Sequence, residues 1–434
     1  MPEKILLQAD YFLTWDENLK LYSRAEMVIE NSLITYLGPR LERPEKNFKR
    51  VINEKNSLVI PGFINTHTHA AMSLFRGYAD DLALMDWLQN KIWPAEAKLK
   101  KEDIYWGTLL SIAEMIRGGT TCFADMYFHM EEAARACIES GIRASLAQGL
   151  VGMEKTKGEQ GLRQSRDLVR NWHNKGEGRI TIMLGPHAPY TCPPEYLQEV
   201  GELAGELSVP IHIHLAETRY EVEESCRKYG KTPVELVNET GLPAHNLLAA
   251  HCVHLSAKDI EILAAKNIAV AHNPGSNLKL GSGLAPVADL LQKEVLVSLG
   301  TDSAASNNNL DLLEEMRLAT LLQKGLQEDP AVIPAEIAFK MATIDGARAL
   351  FLPGETGTLK EGAKADLALL KLKQPHCYPL YSLAAHLVYS AGAGDVDLVM
   401  VDGRVLMEKG RLLTIDEEKI LHEASQRAQR LTGN

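Results

Sequence analysis

Two histidines separated by one residue follow an apolar stretch near the start of the chain. Residues 59–65 have the composition of a strand, and His67 and His69 come close behind them. Side chains at positions i and i+2 of a strand point to the same face, so the two imidazoles can converge on one point. Imidazole nitrogens bind zinc and related transition metals. Because such a pair is common by chance, it indicates a metal site only if other parts of the chain supply more ligands.

Further ligands are predicted from two later stretches of the chain. His212 and His214 form a second His-X-His pair, and Asp302 follows another apolar stretch. His214 lies nearer the C-terminal end of its stretch, so we predict that it is a ligand and that His212 is a deeper, hydrogen-bonded histidine. Together with His67 and His69, His214 and Asp302 would bind one divalent metal ion. Zn²⁺ is expected first, with Fe²⁺ and Ni²⁺ as alternatives. Such an ion lowers the pKa of a bound water towards neutrality.

A water that attacks carbon also needs a group that moves protons to the leaving side. Glu217 lies three residues beyond His214, and we predict that it is this general acid/base. His251 ends another apolar stretch and is predicted to orient or deprotonate the water together with Asp302. Asp125, at the end of a further stretch, is interpreted as a supporting carboxylate without a catalytic role.

The elements that must position these groups follow from an alternation of apolar stretches with amphipathic segments. Strand and helix patterns in alternation are typical of βαβ units with a parallel sheet. Eight such units over about 290 residues match a (β/α)₈ TIM barrel, whose active site lies at the C-terminal ends of the strands. A doubly wound open sheet is the alternative, but no Gly-X-Gly-X-X-Gly follows any stretch. The eight apolar stretches are residues 58–65, 121–127, 143–151, 180–185, 210–215, 247–251, 268–272 and 295–300. Most of these stretches end in one of the polar candidates.

Short strand patterns at both termini predict a second, smaller domain. Neither terminus has enough strands to bury a sheet alone, so we expect the two to pair into one small β-sandwich. The barrel would then span residues 58–352, with residues 1–57 and 353–434 forming the small domain and a final helix at 417–431. The strand patterns are residues 5–15, 25–37, 48–53, 364–372 and 396–406, the last containing a turn signal at Asp402-Gly403.

Composition narrows the class of protein. The chain has 434 residues, 45% hydrophobic residues and a net charge of −11 without a basic run, so nucleic acid and anionic membrane surfaces are not expected partners. No apolar stretch reaches the ~18 residues of a membrane span, and we expect no signal peptide. The six scattered cysteines form no Cys-X-X-Cys pair. We therefore expect a cytoplasmic enzyme with a small-molecule substrate, which could form a homo-oligomer.

Several motifs together resemble the amidohydrolase superfamily. They are Pro-Gly-Phe-Ile-Asn-Thr-His-Thr-His at 61–69, Gly-Pro-His at 185–187, His-Leu-Ala-Glu at 214–217, His-Cys-Val-His at 251–254 and Gly-Thr-Asp-Ser at 300–303. The fourth stretch carries no lysine, which resembles the single-metal deaminase branch. Residues 73–81, 87–88, 92–96 and 273–280 are similar, more closely, to the 5-methylthioadenosine/S-adenosylhomocysteine deaminase family.

This resemblance implies a reaction and a set of substrate contacts. The reaction would be hydrolytic deamination at C6 of the adenine ring of 5′-methylthioadenosine, S-adenosylhomocysteine or adenosine, giving the inosine analogue and ammonia. Glu96 would bind the ribose hydroxyls, and His187 would hydrogen-bond a purine ring nitrogen. Glu217 would protonate N1, with Asp302 also facing the substrate. Trp87 would pack against the thioether side.

One departure from the family concerns the amino-acid end of S-adenosylhomocysteine. The family can carry an arginine where this chain has Gln148, and a second arginine is predicted to correspond to Arg163, in a polar stretch at 154–166 that we interpret as a mobile loop. Paired arginines suit a carboxylate, whereas glutamine offers only a neutral hydrogen bond. We therefore expect a preference for methylthioadenosine or adenosine.

Two alternatives remain at this point. Another hydrolase on the same scaffold, acting on guanine, cytosine or a triazine, would share the metal and the water. An inactive homologue serving as a scaffold would have lost ligands, and the expected ones are present. The zinc nucleobase deaminases with a His-X-Glu and Pro-Cys-X-X-Cys signature are excluded, because the motif is absent from the sequence.

Overall fold

The computed structural model describes residues 4–82, 84–352, 354 and 356–433. Its strands are β1 Lys4–Trp15, β2 Leu19–Glu30, β3 Leu33–Pro39, β4 Arg50–Asn53, β5 Ser57–Pro61, β6 Phe63–Thr68, β7 Thr120–Tyr127, β8 Arg143–Leu150, β9 Ile180–Pro186, β10 Ile211–Leu215, β11 Leu247–His251, β12 Ala269–His272, β13 Val297–Leu299, β14 Leu367–Lys371, β15 Val396–Val401, β16 Arg404–Glu408 and β17 Arg411–Leu412. Its helices are α1 Leu84–Trp87, α2 Trp93–Glu96, α3 Lys101–Arg117, α4 Met130–Ser140, α5 Lys155–Trp172, α6 Pro194–Leu207, α7 Arg219–Tyr229, α8 Pro233–Glu239, α9 Ala257–Ala265, α10 Pro274–Lys279, α11 Val287–Gln292, α12 Leu312–Gln327, α13 Ala335–Met341, α14 Ile344–Ala349, α15 Leu383–Tyr389 and α16 Glu417–Thr432.

The middle of the chain forms a parallel barrel. Strands β6 to β13 pair in chain order, and each neighbouring pair is parallel. The first and last strands meet where the Asp302 N–H donates to the His67 carbonyl at 3.0 Å, and the Thr66 hydroxyl donates to the Leu299 carbonyl at 2.8 Å. The predicted (β/α)₈ barrel is confirmed. Because parallel strands share one direction, their C-terminal ends all lie at one end of the barrel.

Both termini contribute to a second sheet, as predicted. Strand β14 pairs antiparallel with β5, which pairs parallel with β1, so the C-terminal strands extend the N-terminal ones. The small domain expected as a β-sandwich is one nine-stranded hydrogen-bonded sheet within the described residues, mostly antiparallel. Its buried side chains, such as Phe12, Met27 and Leu367, form a hydrophobic cluster separate from that of the barrel.

The predicted strand at 58–65 belongs to two sheets. Its first half lies in β5 of the small sheet, and its second half is β6 of the barrel. The chain passes between them at Gly62, where a Cβ would lie 2.0 Å from Thr121 Cγ2, so only glycine fits. Both halves are buried, and a continuous apolar run therefore hid the change of sheet. The domain division at 57/58 and 352/353 stays a prediction, and residue 353 lies outside the described residues.

The stretch at 154–166 was predicted to be a mobile loop, and this was wrong. Residues 155–172 form helix α5, which buries Gly158, Gly161, Ser165 and Leu168. These positions recur every three to four residues and form one face. A Cβ on Gly161 would lie 2.8 Å from Leu150 Cδ2, so the helix packs closely on the barrel. Sequence analysis missed it because small residues, rather than large apolar ones, make the buried face.

Among the described residues, none of the helices combines the length and the apolar character that a membrane span requires.

Candidate active site

The predicted metal ligands converge at the C-terminal end of the barrel strands. The Nε2 atoms of His67 and His69 lie 3.5 and 3.4 Å from Asp302 Oδ1. His69 Nε2 lies 3.1 Å from His214 Nε2. His251 belongs to the same group, since one of its ring nitrogens lies within 4.8 Å of those of His67 and His214. Strands β6, β10 and β11 and the loop after β13 thus bring five side chains that could bind a metal to one point: His67, His69, His214, His251 and Asp302.

The orientation of the rings is fixed by hydrogen bonds on their outer nitrogens. His69 Nδ1–H donates to the Met126 carbonyl at 2.5 Å, and His214 Nδ1–H donates to the His187 carbonyl at 2.7 Å. His251 Nδ1 lies 2.8 Å from the side-chain oxygen of Asn277. A proton on each Nδ1 leaves the lone pair of each Nε2 directed into the cluster, as metal binding requires.

The second His-X-His pair has two different positions. His212 is buried below the cluster, and its Nε2 lies 2.9 Å from His67 Nδ1. For His67 Nε2 to offer a lone pair, its Nδ1–H must donate to His212. Burial lowers the pKa of His67 to about 3, so the ring is neutral and the lone pair is available. One pair therefore presents two candidate ligands, and the other presents one ligand and one supporting histidine.

The donor set fits a divalent cation. Asp302 Oδ2 accepts hydrogen bonds from the hydroxyls of Ser276 at 2.6 Å and Ser306 at 2.8 Å. Among the described residues, Asp302 Oδ1 and His67 Nε2 are buried and have no hydrogen-bond partner. An unsatisfied buried acceptor costs about 1–3 kcal/mol, and a cation between these two atoms would satisfy both. Neutral imidazoles with one carboxylate are a ligand set typical of zinc.

Glu217 lies beside this cluster. Its side chain is almost fully buried, and its Oε2 lies 3.8 Å from His251 Nε2. Burial raises the pKa of Glu217, because the charged form loses solvation there. A carboxyl group with a raised pKa keeps its proton nearer to neutral pH, which suits a general acid.

The cluster closes the inner end of a cavity of about 300 Å³. Glu96 lies in its wall, and the Tyr127 hydroxyl donates to Glu96 Oε1 at 2.5 Å. His187 also lines the cavity, with its Nδ1 2.9 Å from the Thr191 hydroxyl. Burial lowers the pKa of His187 to about 4, so this ring is neutral. Most of the remaining wall is apolar and includes Met72, Leu84, Trp87, Leu88, Ile92, Trp93, Met126, Phe128, Val151 and Leu280.

One short segment supplies much of that wall. It runs from α1 through a π-helical turn at Leu88–Ile92 into α2, and four lining side chains recur at a spacing of four residues: Leu84, Leu88, Ile92 and Glu96. A π turn holds more residues per turn than an α-helix, so a spacing of four stays on one face. Sequence analysis predicted Trp87 and Glu96 from this segment, and both line the cavity.

Comparison with known proteins agrees with this geometry. The chain matches the amidohydrolase family over residues 58–406. A 5-methylthioadenosine/S-adenosylhomocysteine deaminase of Dictyoglomus thermophilum is 54% identical over 386 residues, covering 88% of this chain and 90% of that protein. One of the same name from Pelotomaculum thermopropionicum is 51% identical and covers 99% of both chains. The chain belongs to the amidohydrolase family.

A solved structure supports the fold of this amidohydrolase. An adenosine deaminase from Xanthomonas campestris with bound zinc superposes with a TM-score of 0.95 at 32% identity, and the match covers 100% of both chains. The resemblance inferred from the motifs is therefore confirmed at the level of the family and the fold.

Two predicted substrate-binding residues lie away from the main cavity of the amidohydrolase. Gln148, at the end of β8, lines a second cavity of about 530 Å³, which shares Phe128 with the first. Arg163 is exposed on α5 and lies 3.8 Å from Glu159. Neither cavity includes Arg163 among the described residues that line it. The two residues therefore do not share the lining of either cavity.

Sequence analysis missed several residues that organise the site. Ser276 and Asn277, from α10, orient Asp302 and His251, although only the resemblance of residues 273–280 had been noted. Tyr127 was missed because Asp125, on the same strand, was the more prominent polar residue. Asp125 Oδ1 accepts the Ala70 N–H at 2.8 Å and so stabilises the turn after β6. Asp125 is not among the described residues that line the main cavity.

Proposed function

We propose that this amidohydrolase deaminates the adenine ring of a 5′-substituted adenosine at C6, releasing ammonia and leaving the inosine analogue. The observation that carries the proposal is one cavity that joins a cation-binding cluster, a buried carboxyl and an acidic group hydrogen-bonded to a tyrosine. The names of relatives at about 50% identity support the same reaction.

A single divalent ion would be held by His67, His69, His214 and Asp302. Zn²⁺ is the first choice, with Fe²⁺ and Ni²⁺ also compatible with these ligands. When bound, such an ion acts as a Lewis acid and makes water a nucleophile at neutral pH. The zinc bound to the Xanthomonas campestris deaminase supports this choice.

The protein's own groups would move the protons of the reaction. Glu217, with its raised pKa, can give a proton to ring nitrogen N1, which makes C6 more electrophilic. His251, with Nε2 3.8 Å from Glu217 Oε2, can take a proton from the water that attacks C6. Transfer of that proton to the amino group lets ammonia leave, and the proton given to N1 stays on the inosine analogue. As the C6 carbonyl forms, the remaining hydroxyl proton returns to Glu217 and restores the acid form. Water and the aminopurine thus yield the oxopurine and ammonia without any further reactant.

Other residues would hold the nucleoside in place. His187 is neutral and can hydrogen-bond a purine nitrogen through Nε2, because its Nδ1 already contacts Thr191. Glu96 can accept hydrogen bonds from ribose hydroxyls, with Oε1 already accepting from Tyr127. Trp87 and its apolar neighbours suit a thioether.

The walls also bear on the 5′ substituent. Within the described residues, no lysine or arginine lines the main cavity. Gln148 lines the neighbouring cavity, where its neutral amide offers no Coulomb attraction to a carboxylate. We therefore propose that methylthioadenosine or adenosine is preferred over S-adenosylhomocysteine. A ratio of kcat/KM values that favours S-adenosylhomocysteine would contradict this preference.

An ammonia-release screen tests the main proposal. Enzyme of measured metal content would be given adenosine, methylthioadenosine, S-adenosylhomocysteine, guanine and cytosine. We expect release from adenosine derivatives only, because Glu96 recognises the ribose that free bases lack. No turnover of any adenosine derivative would overturn the proposal, and turnover of guanine or cytosine alone would favour another deaminase of the family.

The cytoplasm stays our proposed location, since all six cysteines are free thiols.

A further inference from the structure

The turn that carries Glu217 has an unusual backbone. Ala216 joins β10 to the turn with φ of 52°, a left-handed conformation that is unfavourable for a residue with a Cβ. The turn ends at Thr218, whose hydroxyl accepts the Glu221 N–H at the start of α7. A turn of this kind persists only where its surroundings fix it, so the contacts of its N–H groups matter.

A second buried carboxylate binds this turn from below. Glu221 Oε2 accepts the Glu217 N–H at 2.8 Å, and Glu221 Oε1 accepts the Ala216 N–H at 3.2 Å. Glu221 is only 5% exposed. One carboxylate therefore holds two consecutive N–H groups, including that of the proposed acid/base itself.

The position of Glu217 needs such support because it has two spaces to enter. Its side chain lines the main cavity and also a third cavity of about 250 Å³. Glu221 lines the third cavity as well. If the turn were released, the Glu217 carboxyl would have room to move out of reach of the substrate. A misplacement of about 1 Å can lower a rate about 100-fold.

We propose that Glu221 is a positioning residue for the reaction: by binding the N–H groups of Ala216 and Glu217, it holds the Glu217 carboxyl in the substrate cavity. Glu221 is not among the described residues that line the main cavity, and it is not one of the proposed metal ligands. Its effect is therefore on the proton transfer and not on metal or nucleoside binding. This inference rests on the proposed acid/base role of Glu217.

The test is a double-mutant cycle with methylthioadenosine as substrate. Glu221→Gln keeps the volume but can accept only one of the two N–H groups well, and we expect kcat to fall about 10-fold with KM and metal content unchanged. Glu221→Ala should lower kcat about 100-fold. Glu223→Gln, an exposed glutamate of the same helix, removes the same charge and should leave kcat unchanged.

Coupling to Glu217 separates positioning from general damage to the fold. In a Glu217→Gln background, adding Glu221→Gln should lower kcat less than twofold further, because the group that it positions is already gone. Full additivity, or a loss of bound metal in Glu221→Gln, would overturn the inference while leaving the proposed function intact. If the unmodified enzyme turned over no adenosine derivative, both proposals would fail.

Discussion

The two ends of the substrate cavity differ in how firmly their side chains are held. At the inner end, the outer nitrogens of His69 and His214 are held by backbone carbonyls, and Asp302 receives two hydroxyl hydrogen bonds. At the outer end, Trp93 and Phe128 pack by apolar contact and remain 42% and 40% exposed. Hydrogen bonds fix the geometry of the inner end, whereas the outer end contacts its ligand mainly through the shape of an apolar wall.

This difference indicates where chemistry and selectivity reside. Bond-making groups must sit within a fraction of an ångström of the reacting atoms, so each needs its own supporting hydrogen bond. Apolar contacts tolerate small shifts and discriminate weakly, by ~1–3 kcal/mol for a small group. Substitutions should therefore cost orders of magnitude in rate at the inner end and small factors at the outer end.

The largest effect is expected from removing a metal ligand. His214→Ala should lower the bound metal from about one ion per chain to a small fraction and reduce kcat/KM by at least ~10⁴-fold. Metal analysis of the purified variant measures the bound metal, and an ammonia assay measures kcat/KM. His173→Ala, a histidine outside the cluster that accepts the Ile182 N–H, is the control and should retain both. A fully metallated, active His214→Ala enzyme would show that this ring is not a ligand.

Glu217→Gln should have the next largest effect. The amide keeps the shape but carries no transferable proton, so kcat should fall about 10²–10⁴-fold. Metal content should not change, because Glu217 is not among the proposed ligands. Kinetics and metal analysis on the same preparation make the comparison. An unchanged rate would remove Glu217 from the acid/base role.

Substitution of His212 tests the support beneath the inner end. His212→Ala leaves His67 Nδ1 without its partner at 2.9 Å and should weaken metal affinity about 10–100-fold. His212→Gln can place an accepting oxygen near the same nitrogen and should restore part of that loss. Competition with a chelator gives the affinities. Equal metal affinity in all three proteins would mean that His212 serves only the packing of the barrel.

The two His-X-His pairs also show how much of the candidate site could be predicted from the sequence. Parity on a strand and the position of each pair predicted which rings converge, and depth within the stretch predicted that His212 lies below His214. The partners of these rings could not be predicted in the same way. Asn277 and Ser276 reach the cluster from a helix after β12, and such contacts depend on how that helix packs against its neighbours.

Fold prediction succeeded where local sequence patterns determine the structure and failed where distant parts of the chain determine it. Alternation of strand and helix patterns is local information, and it was enough for the barrel. The division of residues 58–65 between two sheets is set by pairing with β14, far away in sequence. Helix α5 depends on small residues that pack against the barrel, and hydrophobicity does not reveal such a face.

At the outer end, Tyr127→Phe should have a modest effect confined to binding. It removes the hydrogen bond that fixes Glu96 Oε1, worth about 1 kcal/mol, so KM should rise about 5-fold with kcat nearly unchanged. A substrate without the 2′-hydroxyl provides the control, since it should be less sensitive to the change. A large fall in kcat instead would place Tyr127 with the inner end and weaken the contrast between the two.

The smallest effect is expected at Gln148, where the resemblance to the deaminase family led us to expect that an arginine can stand. Gln148→Arg introduces a cation into the second cavity, beside the shared Phe128, and should improve kcat/KM for S-adenosylhomocysteine about 2- to 5-fold, since a partly solvated ion pair contributes at most about 1 kcal/mol. Methylthioadenosine has no carboxylate and should be turned over as before. Arg163→Ala should leave kcat/KM for both substrates unchanged, because this side chain is exposed and directed to Glu159. If Gln148→Arg leaves the ratio of the two substrates unchanged, the amino-acid end does not enter the second cavity, and the outer end selects substrates by its apolar wall alone.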